Sequence, residues 1–180
     1  MAEQTAGAAG KKPMAQMTQQ SLAAAFAGES QAHIKYAAFA ERARREGKAN
    51  VARLFEAASF AEQVHARSHL RVLGVEGSTA QNLDTAIAGE TFEFEEMYPA
   101  YLAVAAAQSE AAATRTMKYA LDTEVEHARL YTTAKKAVAE GVDLGAEAIC
   151  VCEVCGYTLI GEAPDRCPLC NAPRKSFKAF

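Results

Sequence analysis

The chain of 180 residues lacks any long hydrophobic run. A membrane-spanning helix needs about 18 or more consecutive apolar residues, so none is expected and no membrane partner is implied. An excess of one charge is also missing. Nineteen basic residues stand against 22 acidic ones, a net charge of −3, which lacks the basic footprint of a nucleic-acid binder. The stretch from Met1 to Met17 has no apolar core of the kind a secretory signal carries. A disordered tail over residues 1–17 and a cytoplasmic location are the expectations from it. Cysteine is absent until residue 150, and only two of the five prolines precede residue 140. Tryptophan is absent throughout.

What the chain does have is alanine, together with Glu, Gln, Arg and Leu, a composition that favours long helices. Half of the residues are apolar, enough to build a core. Composition shifts once, near Glu140. After it come all five cysteines and three prolines. A segment of that size is too small for a good hydrophobic core and usually needs a staple. The expected division is therefore a helical domain over 18–140, a linker over 141–148 and a small cysteine domain over 149–180.

Four helical runs are expected in the first domain. The first spans Thr18 to Glu46, with Thr18 as its cap and Gly47 as its stop. The second spans Ala49 to Leu73 and stops at Gly74. The third begins between Thr79 and Leu83 and reaches Ala107, with a kink or break expected at Pro99. The fourth spans Ser109 to Glu140. Four long amphipathic helices make a four-helix bundle.

Each run carries a glutamate near its middle: Glu29, Glu62, Glu90 and Glu124. Two of them extend to Glu-x-x-His, as Glu62–His65 and Glu124–His127. Residues at i and i+3 share a helix face, so each pair can aim at one point. Glu93 follows Glu90 at the same spacing. The offsets repeat: Glu29 to Glu62 is 33 residues and Glu90 to Glu124 is 34, while both Glu62 to Glu124 and His65 to His127 are 62. The bundle thus looks like two copies of one helix pair. Several carboxylates inside a bundle are costly without cations, and a metal pair supplies that charge. One Glu from each of two helices with Glu-x-x-His from the other two is the ferritin-like carboxylate pattern. Oxygen-rich ligands with two imidazoles suit iron or manganese. Tyr36, two turns after Glu29, is either a hydrogen-bond donor to a ligand carboxylate or a core tyrosine, and Tyr98 is similar. His33 and His69 have no such glutamate before them and read as surface residues or partners of ligands.

The tail reads Cys152-x-x-Cys155-Gly156, then Cys167-Pro168-x-Cys170. Two such knuckles are a strong metal signal, and tetrahedral sulfur accepts iron as well as zinc. Cys150 is the odd cysteine, read as a small buried or edge residue open to oxidation.

These residues together carry a family resemblance. The run Ala25-Phe26-Ala27-Gly28-Glu29-Ser30-Gln31-Ala32, Glu62-x-x-His65, Gly89-Glu90-x-x-Glu93-x-x-Glu96-Met97-Tyr98-Pro99, Glu124-x-x-His127 and the four-cysteine tail with Ala172-Pro173 and Phe177 resemble rubrerythrins over about Thr18 to Phe180. The resemblance implies an all-α ferritin-like bundle followed by a rubredoxin-like domain. It implies two irons in a carboxylate-bridged site, and a third iron, or zinc, in the four-cysteine site. It implies a peroxidase that reduces hydrogen peroxide to water. Electrons would come from a separate reductase or rubredoxin and pass from the cysteine site to the di-iron site of the partner subunit. By the same resemblance Glu62 and Glu124 bridge, Glu29 and Glu93 hold one iron, and Glu90 and His127 the other. His65 would replace Glu29 or Glu93 in the diferrous state, and the family pattern favours Glu93. Tyr36 and Tyr98 would hydrogen-bond ligand glutamates, and the helix would pass Pro99 with a mild kink.

Only 25 residues join His65 to Glu90. In a ferritin-like bundle those helices run parallel, so the chain must climb back between them. A homodimer that exchanges its third and fourth helices is expected from this short connection. The alternative reading of the whole chain is a ferritin-like iron oxidase or iron-binding protein whose tail is a structural zinc ribbon.

Overall fold

The computed structural model describes residues 13–180. Most of the expected tail lies outside them. Its last two residues do not belong to it, because the first helix, α1, spans Gln16–Arg45. Ala15, not Thr18, stands at its N-cap and makes no side-chain cap hydrogen bond. Gln and Met are good helix formers, so the helix extends past the residue chosen for its capping chemistry.

Helix α2 spans Ala49–Leu73 and packs against α1. Gly47, at φ +72°, supplies the left-handed turn between them, and the Lys48 amide bonds back to the Ala43 carbonyl at 2.8 Å. The fully buried positions along this hairpin are all small: Ala40 and Ala43 on α1, and Ala52, Ser59 and Ala66 on α2. Small side chains let the two backbones approach closely. One polar clasp crosses the seam. The Ser59 hydroxyl donates to the His33 carbonyl at 2.8 Å, and His33 Nδ1 donates back to the Ser59 carbonyl at 2.9 Å. His33 is a pin between helices and not a ligand. Larger apolar residues of the hairpin face outward, with Ile34, Leu54 and Phe60 each more than 60% exposed.

The third helical run begins as α3, Thr79–Phe92. Ser78 and Gln81 close a reciprocal capping box that fixes this start. The expected mild kink at Pro99 takes the form of a π-helical turn over Glu93–Met97, followed by α4, Tyr98–Ala107. The Tyr98 amide bonds five residues back, to the Glu93 carbonyl. Pro99 has no amide proton to continue the ordinary ladder, and it crowds the preceding turn. One wider turn absorbs both effects without breaking the axis. Helix α5, Ala111–Ala139, starts two residues later than expected, because Ser109 turns the chain at φ +58°.

The tail forms a small antiparallel sheet of order β2-β1-β3, with β1 at Ile149–Cys152, β2 at Thr158–Ile160 and β3 at Phe177–Ala179. Cys152 pairs with Phe177, and Val151 with Thr158. The chain divides into two compact units, Met1–Glu76 and Gly77–Phe180. These units are set by packing, whereas composition divides the chain by residue chemistry. The cysteine domain packs on α5, so it groups with α3, α4 and α5, while α1 and α2 form the other unit.

Candidate functional site

The cysteine domain brings Cys152, Cys155, Cys167 and Cys170 together, with all four sulfurs within 4.8 Å of one another. Cys152 and Cys170 are 3.6 Å apart, and Cys155 and Cys167 are 3.5 Å apart. None is in a disulfide. Sulfurs about 2.3 Å from one tetrahedral metal lie about 3.8 Å from each other, so the spacing fits a four-thiolate ion. The two knuckles are built alike. In each, the amide after the second cysteine bonds to the first cysteine's carbonyl: Gly156 to Cys152 at 2.8 Å, and Asn171 to Cys167 at 2.9 Å. Both turning residues are left-handed, Gly156 at φ +85° and Asn171 at φ +61°. Asparagine tolerates that region and takes glycine's place in the second knuckle. Burial pushes the Cys155 and Cys170 thiols up. Cys167 is also buried, but the amides of Cys170 and Leu169 outweigh this and bring its thiol down. Three of the four cysteines form the buried core of the domain, with Tyr119 of α5, Tyr157 and Phe177 around them. Cys150 is the small buried residue expected, and its thiol donates to the Gly161 carbonyl at 3.3 Å, an environment that disfavours oxidation.

The carboxylates and histidines form two groups, one in each unit. In the first unit Glu29, Glu62 and His65 offer donor atoms within 4.8 Å of one another. His65 Nδ1 is 3.1 Å from Glu62 Oε2. The hydrogen bond between Glu29 and Glu62 raises the Glu29 carboxyl, and with His65 it lowers Glu62. Two carboxylates this close repel unless a proton or a cation lies between them. His69 stands outside the group, near enough to Glu29 to draw its carboxyl down slightly by charge.

In the second unit the group is Glu90, Glu124 and His127. His127 Nδ1 lies 2.7 Å from Glu124 Oε2 and 3.8 Å from Glu90 Oε1. Burial, and then the negative charge of Glu124, lifts Glu90 to about 7. Glu93 lies outside the three-donor group, at the head of the π-helical turn. Burial and the charge of Glu124 raise it too. The Tyr98 phenol is raised by burial and then by Glu93, Glu124 and Glu90, so it keeps its proton beside three carboxylates. Within its own unit Tyr36 has no hydrogen bond to a ligand carboxylate. Its ring packs near Phe39 and Phe55, with centroids 6.1 and 6.2 Å away.

Two residues that sequence reasoning passed over join the second group to the cysteine domain. Thr123, buried one position before Glu124, donates to the Cys155 carbonyl at 3.3 Å. Thr158, buried on β2, lies 2.9 Å from His127 Nε2. The only signal for Thr123 is its place beside Glu124 in mid-helix, where threonine has no capping role. Nothing local marks Thr158.

Known proteins carry the same features. The rubrerythrin family model matches residues 20–135, and the model of the rubrerythrin rubredoxin-like domain matches residues 151–178. Rubrerythrin-2 of Clostridium acetobutylicum is 38% identical over 178 residues, covering 91% of this chain and 97% of that protein. Nigerythrin of Nitratidesulfovibrio vulgaris is 33% identical over 177 residues, covering 91% and 86%. The structure of fully reduced, all-ferrous nigerythrin aligns with a TM-score of 0.55 at 31% identity, covering 96% of this chain and 91% of that one. Mostly helical, with candidate di-iron carboxylate groups and a four-cysteine rubredoxin-like domain, the chain belongs to the rubrerythrin family.

Proposed function

We propose that the protein reduces hydrogen peroxide to water, H2O2 + 2 e− + 2 H+ → 2 H2O, at a di-iron carboxylate site fed with electrons through the four-cysteine iron. The observation that carries this reading is the seating of the cysteine domain directly on α5, the helix that bears Glu124 and His127. An iron oxidase or store with a structural zinc ribbon needs no electron entry beside its ligands. The relatives support iron in both oxidation states, since nigerythrin is known in all-ferrous and in mixed-valent structures.

The ligands we assign are Glu29, Glu62, His65, Glu90, Glu93, Glu124 and His127, with Cys152, Cys155, Cys167 and Cys170 for the single iron. When bound, the iron pair supplies the electrons that split the O–O bond. Glu62 and Glu124, each beside a histidine in its own unit, would be the carboxylates shared between the two ions. Glu93 stands apart from its three-donor group and, with iron bound, would be the carboxylate that His65 replaces. Tyr98, beside Glu93, Glu124 and Glu90, is the tyrosine we assign to hydrogen-bond a ligand carboxylate. A separate reductase or rubredoxin supplies electrons, and four reduced cysteines suit the cytoplasm. By domain, we assign 18–140 to the bundle and 149–180 to electron entry.

The complete site, in our reading, belongs to a helix-exchanged homodimer. From Leu73 to Thr79 the chain reaches at most about 22 Å. For α2 and α3 to lie parallel with His65 and Glu90 at one height, it would have to climb about 29 Å, from the lengths of helix beyond those residues. The exposed Ile34, Leu54 and Phe60 of the α1–α2 hairpin also call for a covering surface. Because the cysteine domain lies on its own α5, its electrons enter a site that both chains build, in place of transfer to the partner's site alone.

The test is optical. The iron-loaded protein is reduced without oxygen, and the ferric-thiolate absorption is followed after one equivalent of peroxide or after air. Fast recovery with peroxide and slow recovery with air is expected. Equal or faster recovery with air would overturn the peroxidase reading in favour of an oxidase.

A further inference from the structure

We propose that Thr158 is a positioning residue for the metal site: its hydroxyl, reaching out of the cysteine domain, sets which nitrogen of His127 is free to bind metal. This rests on the reading of His127 as a ligand.

The argument follows from counting one proton. Thr158 Oγ1 has two polar neighbours, the Gly156 carbonyl at 2.9 Å and His127 Nε2 at 2.9 Å. The hydroxyl donates to the Gly156 carbonyl, which can only accept, and that uses its single proton. What the oxygen then offers His127 is a lone pair. For that contact to be a hydrogen bond, Nε2 must carry the proton. A neutral imidazole protonated at Nε2 has its lone pair on Nδ1. Nδ1 is the atom that faces Glu124 at 2.7 Å and Glu90 at 3.8 Å. With Nε2 protonated, the 2.7 Å contact takes its proton from the carboxyl side, and a bound metal ion would stand in that proton's place. The tautomer selected at one end of the ring is the one that presents a ligand at the other.

The arrangement is rigid for stated reasons. Thr158 is buried, and its backbone is held in the sheet opposite Val151. Gly156, which takes the hydroxyl proton, sits in the left-handed turn of the first knuckle. The orientation of His127 is thus tied through two hydrogen bonds to the loop that carries Cys155. His65 has no such restraint. Its side chain is 56% exposed, and among the described residues its Nε2 has no hydrogen-bond partner. The two Glu-x-x-His motifs look alike in sequence and differ in this one respect.

Partners that orient a ligating histidine typically contribute 10–100-fold, on the order of that factor, to metal affinity. Thr158→Val keeps the shape and removes the hydroxyl, while Thr158→Ser keeps the hydroxyl. In the full-length protein, zinc alone is titrated against a chromophoric chelator, and the histidine ring nitrogens are followed by 15N NMR in the zinc-loaded state. Three results are expected. Wild-type His127 shows a slowly exchanging Nε2 proton with zinc on Nδ1. Thr158→Val binds zinc at the carboxylate–histidine site roughly 10-fold or more weakly, with the four-cysteine site still filled, and Thr158→Ser recovers most of the loss. The His65 signals do not change. A wild-type His127 with its proton on Nδ1 overturns the inference without any variant, so a poorly folded Thr158→Val does not protect it. Unchanged affinity in a folded Thr158→Val overturns it as well. Zinc bound by wild type at the cysteines alone would remove the reading of His127 as a ligand, and this inference with it.

Discussion

Thr123, on the helix that carries Glu124 and His127, donates its hydroxyl proton to the carbonyl of Cys155, one residue short of the turn that closes the first knuckle. One buried side chain therefore joins the ligand-bearing face of α5 to the loop that holds sulfur. Replacing Thr123 with valine keeps its volume and leaves that carbonyl without a partner. A loss of about 1–2 kcal/mol is expected. Denaturant unfolding would measure it, and hydrogen exchange would show the faster opening concentrated in the cysteine domain. Slower or unchanged exchange there would mean that the contact does not hold the domain down.

Glu90 gives the metal-free protein a pH dependence. Its carboxyl is lifted to about 7 in the folded state, by burial first and then by Glu124. An unfolded glutamate titrates at about 4.3. Between those values the folded state binds more protons than the unfolded one, so stability falls as pH rises. Metal-free wild type is therefore expected to melt at lower temperature at pH 8 than at pH 5.5. Glu90→Gln should show a smaller difference. Divalent metal should stabilise wild type most at the higher pH. Equal pH slopes in wild type and variant would contradict this account of Glu90.

Removing one sulfur should separate the two halves of the chemistry. Cys167→Ser leaves three thiolates in a domain whose buried core is largely those cysteines. The ferric-thiolate colour should disappear, and the domain should become protease-sensitive, because metal binding and folding are one process in such small sites. The α1–α2 hairpin makes its own contacts, so most of the helical circular dichroism should remain. Global unfolding would mean that the cysteine domain is required for the helices to hold.

The short connection between α2 and α3 makes a prediction about assembly. Light scattering of wild type should give a dimer. Inserting about ten Gly/Ser residues after Glu76 lengthens the reach by roughly 35 Å, enough for one chain to close on itself. Monomer should then appear, with its metal site intact. A monomeric wild type that binds two irons in its carboxylate site would refute the exchange.

The candidate donor groups could be read from residue order because both motifs are local. Glu-x-x-His works through the pitch of one helix, and Cys-x-x-Cys through the reach of one turn. Glu29, Glu62, His65, Glu90, Glu124, His127 and the four cysteines all fall into donor groups. Glu93 shares the periodicity of Glu90 yet stands outside its group, at the start of the π-helical turn. Tyr36 shows another limit. Its spacing from Glu29 puts both on one face, but within its unit the ring packs among phenylalanines.

Helix content, the small cysteine domain and the identity of the donors follow from short-range rules: periodicity, propensity and spacing within about one or two turns. Three matters lie beyond such rules. The compact unit ends at Glu76 because α1 and α2 satisfy each other through Ala40, Ala43, Ala52 and Ser59. The cysteine domain joins α5 because Thr123 meets Cys155 and His127 meets Thr158, pairs separated by 32 and 31 residues. The two histidines of the repeated motif acquire different surroundings, one clasped and one exposed. Each depends on which distant surface a residue meets after the helices have formed, and a contact over such a separation leaves no periodic trace in the order of the residues.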